Sequence, residues 1–189
     1  MPYACWNAMV KRKTADFTSF VCFDFETTGL HKEARVIEIG AVKVKDGCLV
    51  SRYSSLVDPE VEIQPLITSI TGITNEMVEG KPTIGQLIPS FFTFTEGLPL
   101  VAHNAPFDCR FLERDSEAAG YFFDHEVFDT LAFARKVLPK QPSYKLGDLT
   151  AWFGIPLNDA HRAWCDAEAT ARLYMYLRRY AMKLNQEQE

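Results

Sequence analysis

Residues Phe20 to Glu26 alternate strictly, with Val21, Phe23 and Phe25 on one side of an extended chain and Cys22, Asp24 and Glu26 on the other. A period of two predicts a strand, and it sets two carboxylates side by side on one face. Two more strand-like runs, Val36 to Lys45 and Leu49 to Val57, flank Asp46-Gly47, a dipeptide preferred in tight hairpins. A loop-rich stretch follows, with short helical pieces near Glu76 and over Ile84 to Phe92, then a buried strand over Leu98 to Ala102. Helices are predicted over Pro106 to Ala119, Asp129 to Val137, Tyr144 to Phe153 and Asp166 to Met182. Asn104 is placed to cap the first of these, Pro106 suits its opening turn, and Gly120 and Gly154 suit helix ends. Three strands, then strands alternating with helices, predict an α/β domain on a central mixed sheet.

At 189 residues the chain fits one domain with a substantial core. Residues 1–18 read as an N-terminal extension, 19–183 as the folded domain and 184–189 as a polar C-terminal tail. No apolar run reaches the length of a membrane span and residues 1–18 lack a signal peptide's apolar stretch, so a soluble, cytoplasmic protein is expected. The five cysteines are scattered with no Cys-x-x-Cys pair, which argues against a disulfide framework and a structural zinc site. The net charge of −5 excludes a generic DNA-coating protein but leaves room for an enzyme that grips a chain end through bound metal. Lys11-Arg12-Lys13 is a solvated surface in the plainer reading and a nucleic-acid patch in the sharper one.

Three blocks carry the chemistry: Asp24-Phe25-Glu26-Thr27-Thr28-Gly29, His103-Asn104-Ala105-Pro106-Phe107-Asp108 and His161-Arg162-Ala163-Trp164-Cys165-Asp166. Each has a bland reading. Asp24 and Glu26 suit a solvent-facing strand, Asp108 and Asp166 are acids in first helical turns where the dipole favours them, and His103 suits a satisfied core histidine. If the fold gathers them, carboxylates that repel one another need a cation, and oxygen donors suit Mg²⁺ or Mn²⁺ better than zinc. His161 in a loop is then free to reach a water as a base.

In this order and with these neighbours the blocks resemble the DEDDh exonucleases, the group that includes the proofreading subunit of bacterial DNA polymerase III. The resemblance runs from about Phe20 to Tyr180. It includes Ile70-Thr71-Gly72-Ile73-Thr74 with Met77-Val78, Phe128-Asp129-Thr130-Leu131, and Lys145-Leu146 leading to Phe153-Gly154-Ile155. It implies a ribonuclease-H-like fold with a central mixed five-stranded sheet flanked by helices, and stepwise 3′→5′ release of nucleoside monophosphates. It implies that Asp24, Glu26, Asp108 and Asp166 hold two divalent cations, Mg²⁺ or Mn²⁺, with His161 as general base. Thr27, Thr28, Leu30, Thr71, His103, Asn104 and Phe107 are the implied contacts to the terminal nucleotides. Thr71 stands where the proofreading subunit often has His. The chain lacks that subunit's long C-terminal polymerase-joining segment, so a freestanding enzyme is expected, with polymerase association as the alternative.

Single-stranded DNA ends are the favoured substrate and RNA 3′ ends the alternative, because no residue announces a 2′-hydroxyl contact. The alternative of another class is a polymerase-associated proofreading accessory or a nucleic-acid binding module. Cys22, Cys109 and Cys165 read as small buried hydrophobes. Ala171, Tyr174 and Leu177, with Phe111 and Leu112, read as core. Phe107 fits base stacking and core packing equally well.

Overall fold

The computed structural model describes residues 17–157 and 160–186; the reading of Lys11-Arg12-Lys13, and most of the N-terminal extension, fall outside these. Its sheet has five strands in the order β3-β2-β1-β4-β5. These are β1 (Phe20–Thr27), β2 (Val36–Lys45), β3 (Cys48–Leu56), β4 (Leu100–Ala102) and β5 (Val127–Asp129). β1, β2 and β3 pair antiparallel, and β4 and β5 add in parallel on the other side of β1. The hairpin turns at Asp46 and Gly47, both at positive φ (50° and 77°), as a twist-matched two-residue turn requires.

The helices are α1 (Pro65–Thr71), α2 (Asn75–Val78), α3 (Ile84–Thr95), α4 (Ala105–Ala118), α5 (Thr130–Val137), α6 (Leu146–Trp152) and α7 (Ala163–Gln186). α1 and β5 are absent from the sequence reading. Pro65-Leu-Ile-Thr-Ser-Ile-Thr71 is rich in β-branched residues that disfavour an isolated helix, and three residues of β5 are too few to show a period. α7 continues to Gln186, into the segment read as a polar tail.

The alternation in β1 serves two cores. Val21, Phe23 and Phe25 join Phe91 of α3 and Phe111 and Leu112 of α4 in one layer. Phe20 and Cys22 face the other, where Tyr174 and Leu177 of α7 are fully buried among Phe133 and Leu149. Phe17 closes that second core: its ring meets Phe128 edge-on and its N–H donates to the Tyr174 hydroxyl at 3.0 Å. β1 and β4 are thus buried on both faces, while β3 at the sheet's edge is largely exposed.

Gly40 decides how close α7 comes. It stands opposite Asp24 in the β1–β2 ladder, and a Cβ there would overlap the backbone of Ala163 and Trp164. Only glycine lets the first turn of α7 rest on the sheet at this point.

Candidate active site

β4 pairs with β1 only at Val21 and Cys22, so the last half of β1 projects beyond it and its edge N–H groups need partners. Asp108, one turn into α4 and 2% exposed, supplies one by accepting from Phe25 N at 3.0 Å. Asp24 and Glu26, on the Cys22 side of the strand, emerge where α7 begins. Asp166, 9% exposed in the first turn of α7, accepts from His161 N at 3.0 Å. His161 is held at φ 66°, a left-handed conformation uncommon outside glycine that projects it from the loop before α7. The three blocks therefore meet in one cleft of about 480 Å³, lined by Asp24, Glu26, Phe107, Asp108, His161 and Asp166. Glu26, His161 and Asp166 offer ligand atoms within 4.8 Å of one another.

The electrostatics are those of a site built for cations. Burial pushes Glu26 and Asp108 up to about 8. For Glu26 the charges of Asp166, Glu38 and Asp108 add to the burial. Burial, then Asp108 and Asp166, pushes Asp24 well above the carboxylate range, and burial raises Asp166. Groups crowded this way hold protons, or a metal, in place of a full set of charges.

Two residues outside the predicted set organise the cleft. Glu38, opposite Glu26 on β2 and fully buried, accepts from Arg162 Nε at 3.1 Å, Arg162 Nη2 at 2.8 Å and Ala163 N at 3.0 Å. It therefore caps α7 from the sheet. Asp129 Oδ1 accepts from Asn104 N, Ala105 N and Leu131 N, joining the starts of α4 and α5. Glu38 sat inside an apolar strand pattern with no signal of its role; Asp129 belonged to a quoted motif, but its bonds span 25 residues.

The expected substrate contacts divide. Asn104 does not cap α4 with its side chain: it sits at φ 64° without a cap hydrogen bond, and Asp129 takes the exposed N–H groups instead. His103 lines the cleft, but Nε2 donates to Tyr144 O and Nδ1 meets Thr130 Oγ1, each at 2.9 Å. Burial lowers its pKa, so it is the satisfied neutral histidine of the bland reading. Thr71 commits its hydroxyl to Ile67 O and Ile73 N at the end of α1. Thr27 donates to Gly29 O and Thr28 accepts from Arg35 N, so both build the turn after β1. Leu30 is 80% exposed. Phe107 lines the cleft and also packs edge-on against Phe111 at 5.3 Å. Cys22, Cys109 and Cys165 are buried, and burial raises the thiols of Cys22 and Cys109 well out of the reactive range.

Residues 21–174 match the exonuclease family typified by RNase T. The chain belongs to that family. This exonuclease is 37% identical over 174 residues to a DNA polymerase III subunit epsilon of Treponema pallidum, covering 90% of this chain and 81% of that protein. It is also 43% identical over 158 residues to a DNA polymerase III PolC-type of Clostridium perfringens, but spans only 11% of that protein's length. Among solved structures it matches an Exonuclease X complex with 5′ overhanging duplex DNA at 31% identity and TM-score 0.72, covering 84% and 90% of the two chains. An Exonuclease I–single-stranded DNA complex of E. coli matches at TM-score 0.71 and 21% identity, covering 84% of this chain and 42% of that one, which speaks to the fold. The architecture is the ribonuclease-H-like one, and the enzyme is an exonuclease. Among the described residues no helix is long and apolar enough to cross a membrane.

Proposed function

We propose that the enzyme removes nucleoside monophosphates from 3′ ends, preferentially of single-stranded DNA, by metal-dependent hydrolysis. The observation that carries this reading is the convergence of Asp24, Glu26, Asp108 and Asp166 with His161 in one cleft. The residues fit a pair of hard divalent cations, Mg²⁺ or Mn²⁺: the donors are carboxylate oxygens, all four are pushed up by burial, and Asp24 and Glu26 also by the charges of the others. When bound, such ions neutralise charge on the phosphodiester and make water nucleophilic at neutral pH.

The chain's own residues do the rest. Asp24, Glu26 and Asp166 form the cation-facing wall, and Asp108 completes it from α4 while fastening β1 through Phe25 N. His161 projects from its loop with its ring exposed and takes the proton of the attacking water. Phe107 presents a ring to the terminal base, and Leu30 and Asn104 add contacts to the terminal nucleotides.

The test offers 5′-labelled single-stranded DNA and RNA of one sequence, with Mg²⁺, Mn²⁺ or chelator, to wild type and Asp24→Ala. The expected result is a descending ladder on DNA that needs both metal and Asp24. Endonucleolytic fragments, or cleavage that survives Asp24→Ala, overturn the mechanism; an equal ladder on RNA overturns the preference. A polymerase-bound proofreading role is the second reading, favoured by the likeness to a subunit epsilon.

A further inference from the structure

Four carboxylates meet in the cleft, and a polyanion that enters it is repelled unless cations offset them. Among the described residues, Lys145 is the one lysine or arginine in the cleft lining. It also lines a groove of about 510 Å³, bordered by Arg135 and Tyr144, which shares His103, Lys145 and Leu146 with the cleft. Cleft and groove therefore meet, and Lys145 stands at their junction. A second basic hollow, lined by Lys32, Arg35, Arg110 and Arg114, has Glu33 among them and shares no residue with the cleft.

The fold accounts for the place of Lys145 but not for its identity. Its backbone is pinned from both sides. His103 Nε2 donates to Tyr144 O at 2.9 Å, the Tyr144 hydroxyl donates to Leu138 O at 2.6 Å, and Leu149 N donates to Lys145 O at 3.0 Å. Lys145 is the N-cap of α6, yet its side chain caps nothing. An ammonium cannot accept from the exposed N–H groups there, and the positive end of a helix disfavours it.

Arg135 lies further along the groove, outside the cleft lining, with its guanidinium 5.9 Å from the centre of the Tyr144 ring. Asp148 also lines the cleft, but among the described residues no carboxylate lies within ion-pair distance of Lys145 or Arg135. Both side chains are exposed. Two unpaired cations on a fixed backbone thus lead away from an acidic cleft, one inside it and one beyond.

We propose that Lys145 binds the first phosphate on the 5′ side of the scissile bond and Arg135 the next, which sets a preference for chains of at least four nucleotides. This rests on the nuclease reading above. Contacts of this kind fix the register of the strand and add affinity without selecting bases.

Thymidine 5′-(p-nitrophenyl phosphate), which carries the scissile phosphate alone, is compared with oligothymidylates of two to five nucleotides. In wild type kcat/KM is expected to climb at three nucleotides and again at four. Lys145→Met should cost about tenfold from three nucleotides onward, and Arg135→Met about as much from four onward. Lys145→Arg should restore most of the loss. Binding of the labelled five-nucleotide chain is read on Asp24→Ala, which leaves it uncut. Adding Lys145→Met should weaken it about tenfold and lower the slope of log Kd against log salt by about 0.7. A Lys145→Met loss as large on the ester as on five nucleotides puts Lys145 on the scissile phosphate and overturns the proposal. So does unchanged binding of the five-nucleotide chain. A wild type that cuts neither the ester nor any oligothymidylate overturns the nuclease reading itself.

Discussion

The Glu38 carboxylate, with no exposed surface, is gripped by the half-exposed guanidinium of Arg162 at 2.8 Å, one residue away from His161. Glu38 also faces Glu26 across the β1–β2 ladder, so it is a fifth acid beside four that already repel one another. Glu38 adds to that repulsion by raising Glu26, and the charge of Arg162 offsets it by lowering Glu26.

Removing one partner of a buried pair typically costs about 3–5 kcal/mol. Arg162→Ala is expected near the lower end, because its own side chain is 38% exposed. Urea unfolding should show the loss, and Glu38→Gln should lose less because its amide still accepts from Ala163 N. An Arg162→Ala protein as stable as wild type would remove the pair from any structural role.

Gly40→Ala places a methyl against the backbone of Ala163 and Trp164, neither of which has a flexible end to move aside. Overpacking of this kind costs about 1–3 kcal/mol, and a backbone neighbour puts it at the upper end. Because the same turn carries Asp166, activity should fall further than stability alone explains. Thermal melts and turnover measured together test this; wild-type values for both would show that α7 retreats freely.

The raised carboxylates set a pH dependence with a definite sign. Glu26 and Asp108, ordinarily 4.5 and 3.8, stand at about 8, and Asp24 and Asp166 also move upward. A folded-state value above the unfolded one means the stabilising contribution is complete below the unfolded value and drains away as pH rises through the folded one. In chelator, the melting temperature should therefore decline from about pH 4 towards pH 8, with Mn²⁺ or Mg²⁺ reversing the decline. A melting temperature that climbs with pH in chelator would count against the crowded-carboxylate picture.

His161→Ala should lower turnover by about 10²–10⁴-fold, the range for a lost general base. Calorimetric titration with Mn²⁺ should still show binding. If metal affinity collapses together with turnover, His161 is a ligand, a role its place beside Glu26 and Asp166 also allows geometrically.

Asp129→Ala strips an acceptor from the N–H groups of Asn104, Ala105 and Leu131. At about 0.5–1.5 kcal/mol for each hydrogen bond, a loss of about 2–4 kcal/mol is expected. Hydrogen exchange should quicken first at the starts of α4 and α5. Protection unchanged there would mean that water replaces the carboxylate without cost.

Much of the fold was legible in local pattern. The period-two run through β1, the Asp46-Gly47 hairpin and the helices from Pro106 onward follow from backbone preferences that act over a few residues. That Asp24, Glu26, Asp108, His161 and Asp166 belong together was also readable, through their order and neighbours, and the fold brings them to one cleft. Residues whose jobs depend on distant partners were not. Asn104 has the composition of a cap, yet Asp129 performs that task from 25 residues away. His103 and Thr71 have the chemistry of ligand contacts, yet spend it on Tyr144, Thr130, Ile67 and Ile73. By itself, then, the sequence determined which residues carry charge, where most strands and helices run, and the family to which the chain belongs. Only the tertiary structure decided that Glu38 is an internal cap, that Gly40 admits α7 to the sheet, and that Lys145 shares a cleft with the acids. Local pattern reflects short-range backbone preference, whereas burial, desolvation and hydrogen-bond partners exist only once remote segments meet.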